Sequence, residues 1–351
     1  MQRSVSVIMK VGSATLLLLC AVTFFGCGPK PTPTLHLYCT ETFWYVMQEE
    51  AIVFNSIYGF RVLMHPIQVP RTADKAEDTV EINDRRNAPV LWRNRPGASA
   101  PQEVETRAKI HPEIERQLEG ISEEHFGDLF LSDSRRHLEK LHQIALTAGE
   151  FPVCYLTLTM LVPQGNPNQF QSTKDVLESN RRLGIVDPSL DGLGESSWEM
   201  LGRIVSGGES AIPMDLVQLY ERQYDLLEAL EQRRIDAALV WTATSQLNFL
   251  LVKYADEYNT RFAESLREAE RSRNPEVIRL AIHGIAEILV EQKKFAEEIP
   301  LTENPDERFV IAVRLAALSS TTNYEYCKRF ADFMRSNQSK EILQRFGFVP
   351  E

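Results

Sequence analysis

The sequence predicts an α/β protein with mostly parallel sheets. Short apolar, β-compatible runs alternate along the chain with amphipathic segments in which apolar residues recur every three or four positions. The first pair is a strand starting at Leu35 and a helix whose apolar face runs from Phe43 to Ile57. Because the period switches repeatedly from strand to helix, βαβ units are expected. Ligands of such folds bind beyond the carboxyl ends of the strands.

Four predicted strand-to-helix turns carry hydroxyl or small residues. Backbone N–H groups and the helix dipole favour an anion at a helix start, so several such turns together predict an anion-binding site. The alternative for any single turn is that a hydroxyl caps its own helix. The turns hold Thr40 and Thr42, Ser132, Asp191–Ser196 and Thr242.

The N-terminus has the layout of a signal peptide. A basic start precedes an apolar run from Val11 to Phe25, which is short for a transmembrane helix. Residues 1–26 are therefore expected to be a signal peptide. The following segment resembles a bacterial lipoprotein box, which implies lipidation of Cys27, a Pro-rich tether over 27–34 and a membrane-anchored periplasmic protein. A plain secretory signal cut nearby is the alternative.

Charge and cysteine content limit the function classes further. The formal net charge of −11 argues against nucleic acid as a partner. Five cysteines fall to three if the signal peptide is removed and Cys27 is acylated. The remaining Cys39, Cys154 and Cys327 have no metal-type spacing and are interpreted as small buried residues. The sequence leaves open a disulfide between two of them.

Two long stretches interrupt the alternating pattern. The first, at about 66–122, is irregular apart from a helical pattern around Ile114–Leu118. The second, at about 247–294, predicts a charged antiparallel helical hairpin on the surface. We interpret both as insertions. A helix is also predicted over Leu216–Leu230.

No motif for catalysis, a cofactor or a metal is found. Zinc-binding, phosphate-loop and nucleophile-elbow patterns are all missing from the sequence. The Gly192-x-Gly194 pair lacks the third glycine of a dinucleotide fingerprint. Asp128, Asp133 and Asp187 lie at strand ends, where Asp is commonly a cap or turn residue. We therefore expect no catalytic residue, no cofactor and no enzyme activity.

The order of the segments resembles the periplasmic solute-binding proteins of ABC importers, and more narrowly their molybdate/tungstate-binding family. Each motif is weak alone, but the motifs occur in the family's order. The matching segments are Leu37–Thr42, Gly127–Ser132, Leu156–Asn166, Asp187-Pro188, Asp236–Trp241 and Phe346–Phe348.

This resemblance implies a two-lobed periplasmic binding protein fold with a hinge of two crossings. The first lobe is expected at 35–154 plus 307–351, and the second at 155–306. The resemblance further implies a monomer that captures a small oxyanion and delivers it to the permease of an importer.

The same resemblance implies a binding site between the lobes. Hydroxyls of the first lobe would donate to the oxyanion, and groups of the second lobe would face them across the cleft. The implied ligand-binding residues are Thr40, Thr42, Ser132, Asp187, Gly194 and Trp241.

Three positions depart from the family pattern and leave the ligand open. Thr42 replaces a serine, Trp241 stands where a tyrosine is expected, and Glu41 places a carboxylate beside the proposed anion. A different small solute, with a cationic or polyol group, is the alternative ligand. A non-transport extracytoplasmic scaffold is the alternative function.

Overall fold

The computed structural model describes residues 33–67, 110–124, 127–206, 214–244, 249–250, 253, 293–301 and 309–351. Ten strands in these residues share hydrogen-bonded edges. The strands are β1 (Thr34–Cys39), β2 (Arg61–Pro66), β3 (Leu129–Ser132), β4 (Thr147–Pro163), β5 (Leu183–Val186), β6 (Val217–Tyr220), β7 (Ala237–Trp241), β8 (Ala296–Pro300), β9 (Val310–Leu318) and β10 (Val349–Pro350).

The strand order is β2-β1-β3-β9-β4-β7-β5-β6, with β8 and β10 also paired to β4. On one side β1 runs parallel to β2 and β3, and on the other β5 runs parallel to β6 and β7. The long strand β4 joins the two sides, because residues 147–157 pair with β9 and residues 158–161 pair with β7. This arrangement confirms the predicted two-lobed α/β fold. The lobe boundaries stay a prediction.

Helices flank the sheets, and serine side chains cap several of them. The hydroxyls of Ser134, Ser172 and Ser336 each accept a hydrogen bond from the backbone N–H three residues later. The helices are α1 (Trp44–Tyr58), α2 (Pro112–Glu124), α3 (Arg135–Gln143), α4 (Thr173–Glu178), α5 (Gly192–Ser206), α6 (Gln223–Glu231), α7 (Tyr324–Met334) and α8 (Asn337–Arg345).

Aromatic packing holds the start of α1 in place. Phe43 is fully buried, and its ring stacks on Phe348 with the centroids 5.5 Å apart. One turn from the other end of α1, Phe54 contacts Phe330 edge-on at 5.0 Å. The turn between β1 and α1, which carries two predicted ligand residues, therefore rests on a closely packed core.

The helix predicted over Leu216–Leu230 is wrong in its first part. Residues 217–220 form β6, which pairs in parallel with β5, and α6 begins only at Gln223. The apolar residues of the segment do fall at helical spacing. Pairing with an existing strand outweighs that weak local signal.

The cysteines Cys39, Cys154 and Cys327 are free thiols, all buried. Burial raises the pKa of Cys39 and of Cys327 to about 12, so both stay protonated at physiological pH. The disulfide that the sequence left open is therefore not formed.

Several predictions lie outside the described residues. These are the signal peptide, the lipidated Cys27, most of the insertion at about 66–122 and nearly all of the helical hairpin at about 247–294. Within the described part of the chain, no helix is both long and apolar enough to cross a membrane.

Candidate functional site

The turn after β1 brings two hydroxyls to the cleft side of the first lobe. Thr40 and Thr42 are each 5% exposed, and neither hydroxyl caps the helical turn that follows. Instead, Thr40 Oγ1 donates to Asp133 Oδ1 at 3.1 Å and Thr42 Oγ1 donates to Asp133 Oδ2 at 2.8 Å. The alternative of a simple helix cap therefore does not hold for either residue.

A third donor reaches Asp133 from the other lobe. Trp241 ends β7 with its side chain fully buried, and its indole Nε1–H donates to Asp133 Oδ2 at 2.9 Å. Both carboxylate oxygens thus accept hydrogen bonds, and the donors come from both sides of the cleft. Thr40, Thr42 and Trp241 are brought together as the sequence predicted, around a carboxylate of the chain itself.

The two lobes also touch through backbone beside Asp133. A Cβ atom at Gly192, the first residue of α5, would lie 2.1 Å from the carbonyl oxygen of Asp133 and 2.6 Å from the backbone nitrogen of Ser134. No side chain fits in that space. The glycine that suggested a dinucleotide motif therefore serves close contact between the lobes.

A second contact between the lobes surrounds Glu195. Its carboxylate accepts from Ser134 Oγ at 3.1 Å and lies 3.6 Å from Arg135 Nη2 and 3.7 Å from Arg136 Nε. Burial raises the pKa of Glu195, and the charge of Arg136 partly opposes this shift. We call Ser134, Arg135, Arg136 and Glu195 the latch.

Ser132 makes local contacts in its own turn. Its hydroxyl accepts from the backbone N–H of Ser134 at 3.0 Å and lies 3.0 Å from His137 Nδ1. Burial, and then the charge of Arg136, lower the pKa of His137 to about 4, so the imidazole is neutral at physiological pH. Ser132 is therefore near the donor set, but its hydroxyl is engaged with His137.

Asp187 and Gly194 shape the turn between β5 and α5. Asp187 Oδ1 accepts from the N–H of Ser189 at 2.8 Å and from its hydroxyl at 2.7 Å. The N–H of Gly194 donates to Asp191 Oδ1 at 2.8 Å, and a Cβ at Gly194 would lie 2.5 Å from the carbonyl oxygen of Asp187. Both predicted residues thus position the second lobe's side of the cleft.

A small cavity lies beside Asp133. Its free volume is about 10 Å³, close to that of one water molecule. The polar part of its lining includes Glu41, Thr42, His137, Asp191 and Gln223, and none of the described residues that line it is Lys or Arg. Burial raises the pKa of Asp191 well above its ordinary value, and the charges of Asp133 and Glu41 raise it further.

Asp133 is the site residue that sequence reasoning missed, because Asp at a strand end is usually a turn residue. The available signal was its position next to Ser132, at a turn already predicted to reach the cleft. In the residues that the structure describes, no three His, Cys, Asp or Glu side chains are arranged to hold a metal ion.

Comparison with known families identifies the class of protein. Residues 93–349 match the family model described as bacterial extracellular solute-binding protein. The chain belongs to this family. No match was found among curated protein sequences.

Solved structures of solute-binding proteins share the fold. The periplasmic molybdate-binding protein of Azotobacter vinelandii superposes with a TM-score of 0.51 at 12% identity, over 90% of this chain and 98% of that one. A periplasmic thiamin-binding protein gives 0.55 at 11% identity, over 92% and 85%. Iron-bound HitA from Pseudomonas aeruginosa gives 0.53 at 12% identity, over 91% and 86%. At these identities the likeness shows the fold alone.

Membership establishes the chain as a bacterial extracellular solute-binding protein. Its family consists of transport components rather than enzymes, with a small ligand and a membrane permease as partners. The contacts across the cleft fit a two-lobed protein of this kind.

Proposed function

We propose that this solute-binding protein captures a small solute carrying a positively charged group, in the cleft between its lobes, and presents it to an importer permease. The observation that carries this proposal is the charge of the cleft. Asp133 already uses the donors of Thr40, Thr42 and Trp241, and carboxylates line the space that is left.

The charge of the residues that line the cavity favours a cationic ligand. Glu41 and Asp191 both line it, and none of its described lining residues is Lys or Arg. Glu41 is exposed, and Arg222, outside the lining, interacts with its charge. Burial raises the pKa of Asp191, and repulsion from the charges of Asp133 and Glu41 raises it further. A cation arriving there would relieve that repulsion and favour the ionised form of Asp191.

Part of the cavity wall is apolar, which suits the carbon skeleton of an organic cation. Ile67, Ile114 and Leu190 line the cavity together with the polar groups. The closed cleft holds about one water molecule, so a solute enters only when the lobes separate. Closure around an amine would place its charge near the carboxylates and its alkyl part against these side chains.

A small oxyanion of the molybdate or tungstate type is the second candidate. Thr40, Thr42 and Trp241 converge on the two oxygens of a carboxylate, and the same donors suit an oxyanion. Such a ligand would have to displace the Asp133 side chain and then lie close to Asp133, Glu41 and Asp191. The cost of that repulsion places the oxyanion second.

Thermal-shift and calorimetric titrations of the purified protein test both candidates. We expect amines and other organic cations to raise the melting temperature, because a ligand that binds only the native state stabilises it. Molybdate, tungstate, sulfate and phosphate should leave it unchanged. Neutral polyols form a third arm of the panel.

Glu41→Gln is the variant that tests the charge of the cleft, and it should weaken binding of the cation by about tenfold or more. The matched control is Glu199→Gln, which removes an acid of α5 bound to Arg135 and Arg203 outside the cavity lining. Stabilisation by oxyanions alone would replace the first candidate with the second. No response to any class would favour a non-transport scaffold.

The membrane anchor and the oligomeric state are further parts of the proposal. We propose that Cys27 is lipidated and that the protein works as a monomer tethered by residues 27–34. Cys27→Ser should then move the protein from the membrane fraction to the soluble fraction. Light scattering should give the mass of one chain, and recovery of a dimer would contradict the monomer.

A further inference from the structure

We infer that Asp133 is a built-in anion: its carboxylate occupies the anion-binding position of the cleft, bridges the two lobes and excludes free oxyanions. The inference deepens the proposed function, on which it rests for the location of the ligand site. It makes Asp133 the residue that sets the charge of the ligand.

The contacts of Asp133 are those that an oxyanion would make. Its side chain accepts from two hydroxyls and an indole N–H at 2.8–3.1 Å, and the residue is 3% exposed. In the described part of the chain no Lys or Arg pairs with it. A buried carboxylate is thus held by three neutral side-chain donors.

The bridge spans the cleft directly. Asp133 belongs to the turn after β3 in the first lobe, and Trp241 ends β7 in the second. The backbone of Asp133 also packs against Gly192 of the second lobe. In a binding protein that closes around its ligand, the ligand brings donors of both lobes together. Here the side chain of Asp133 already does so.

Tethering gives this carboxylate an advantage over any free anion. A group attached to the chain competes at an effective concentration on the order of millimolar or more. A free oxyanion must displace the carboxylate and then bear its repulsion from nearby. Removal of the Asp133 carboxylate should therefore open an oxyanion site.

Calorimetric titration of Asp133→Ala with molybdate and with sulfate tests this inference. We expect the variant to bind at least one of these anions about tenfold or more tightly than the wild type. Asp191→Ala is the matched control, because it removes a carboxylate that lines the neighbouring cavity and leaves Asp133 on the donors. It should gain no oxyanion binding. Adding Trp241→Phe to Asp133→Ala should reverse the gain.

Small-angle scattering gives a second readout. The radius of gyration of the wild type should not change with oxyanion, whereas that of Asp133→Ala should be larger and should fall when the anion binds. Asp133→Ser, which also removes the charge, keeps the test available if the alanine variant does not fold.

Two outcomes would overturn the inference. One is tight oxyanion binding by the wild type. The other is a variant that is folded by circular dichroism, lacks the carboxylate and still binds no oxyanion. A gain of oxyanion binding in Asp133→Ala, together with no response of the wild type to cations, would support the role of Asp133 and reject the proposed ligand class alone.

Discussion

The two sides of the cleft give an aspartate different surroundings. On the first lobe, Asp133 accepts three side-chain hydrogen bonds from hydroxyl and indole donors. On the second lobe, Asp191 accepts a backbone N–H from Gly194, and its pKa is raised by burial and by the charge of Asp133. The carboxylate of Asp133 thus has several hydrogen-bond donors. At Asp191 burial and the neighbouring negative charge disfavour the ionised form.

This difference shows that donors rather than residue identity set the chemistry of the cleft. Hydroxyls placed at a helix start can hold an anion without any cation, so Asp133 needs no Lys or Arg. In the described residues the donor to the Asp191 side chain is the Gly194 N–H, and under the proposed function a cationic ligand would stabilise its ionised form. The variants below test each side of this contrast.

The largest effect is expected at Trp241, the donor that crosses between the lobes. Trp241→Ala should lower the free energy of unfolding by about 3–5 kcal/mol, because it leaves a cavity in the core. Trp241→Phe keeps an aromatic ring and removes the N–H, so its cost should be about 1–3 kcal/mol. Urea unfolding measures both. A cost near zero for Trp241→Phe would mean that the hydrogen bond to Asp133 contributes nothing.

Gly192→Ala should force the lobes apart, because its Cβ would meet the backbone of Asp133 at 2.1 Å. Overpacking of this kind lowers the free energy of unfolding by about 1–3 kcal/mol, unless the cleft opens to relieve the clash. Scattering and urea unfolding together detect either response. The control in the same helix is Gly202→Ala, where a Cβ meets nothing within 4 Å. In that variant the free energy of unfolding should rise by about 0.5–1 kcal/mol.

Asp191→Asn should change the pH dependence of stability. A carboxyl whose pKa is raised in the folded state contributes stability that is complete below the unfolded pKa and is lost as the pH rises through the folded pKa. The variant has no carboxyl group at this position. Its free energy of unfolding should therefore rise relative to that of the wild type as the pH rises from acid to neutral.

The measurement for Asp191 is urea unfolding across that pH range. Asp191→Ala serves as the control, since it also removes the acceptor of the Gly194 N–H and should be less stable than the Asn variant. A constant difference between Asp191→Asn and the wild type at all pH values would contradict the assigned shift.

The smallest effect is expected in the latch. The side chain of Arg135 is 70% exposed, so Arg135→Ala should change stability by at most about 1 kcal/mol. Arg136 is 22% exposed and also donates to the carbonyl of Pro188 at 2.9 Å. Arg136→Ala should therefore lower the free energy of unfolding more than Arg135→Ala does. A larger loss from Arg135→Ala would make the exposed ion pair a true contact between the lobes.

Sequence reasoning predicted the fold more fully than the site. Strand and helix periods located most elements, including the strand that starts at Leu35 and the helix whose apolar face runs from Phe43 to Ile57. The failure at β6 came from apolar spacing that fits a helix, where pairing with β5 decided the outcome. Local patterns report what a segment prefers, and sheet pairing is decided by distant segments.

Within the site, residues at the ends of β1 and β7 were predicted and do meet. Thr40, Thr42 and Trp241 all donate to the Asp133 carboxylate, as expected for residues at the carboxyl ends of strands in such folds. Ser132, Asp187 and Gly194 lie in the same turns, but their polar groups make local hydrogen bonds. Sequence position placed these residues at the cleft. The direction of each polar group depends on neighbours that the sequence does not reveal.

The sequence by itself determined an α/β architecture with hydroxyls at its strand-to-helix turns, because strand and helix periods and turn residues are local properties. The two lobes were implied by the resemblance in segment order. Only the tertiary structure decided what those hydroxyls bind. The carboxylate of Asp133 reaches its donors across 93 residues to Thr40 and 108 residues to Trp241. Contacts over such separations depend on how the lobes close, and that closure gives the cleft its negative charge.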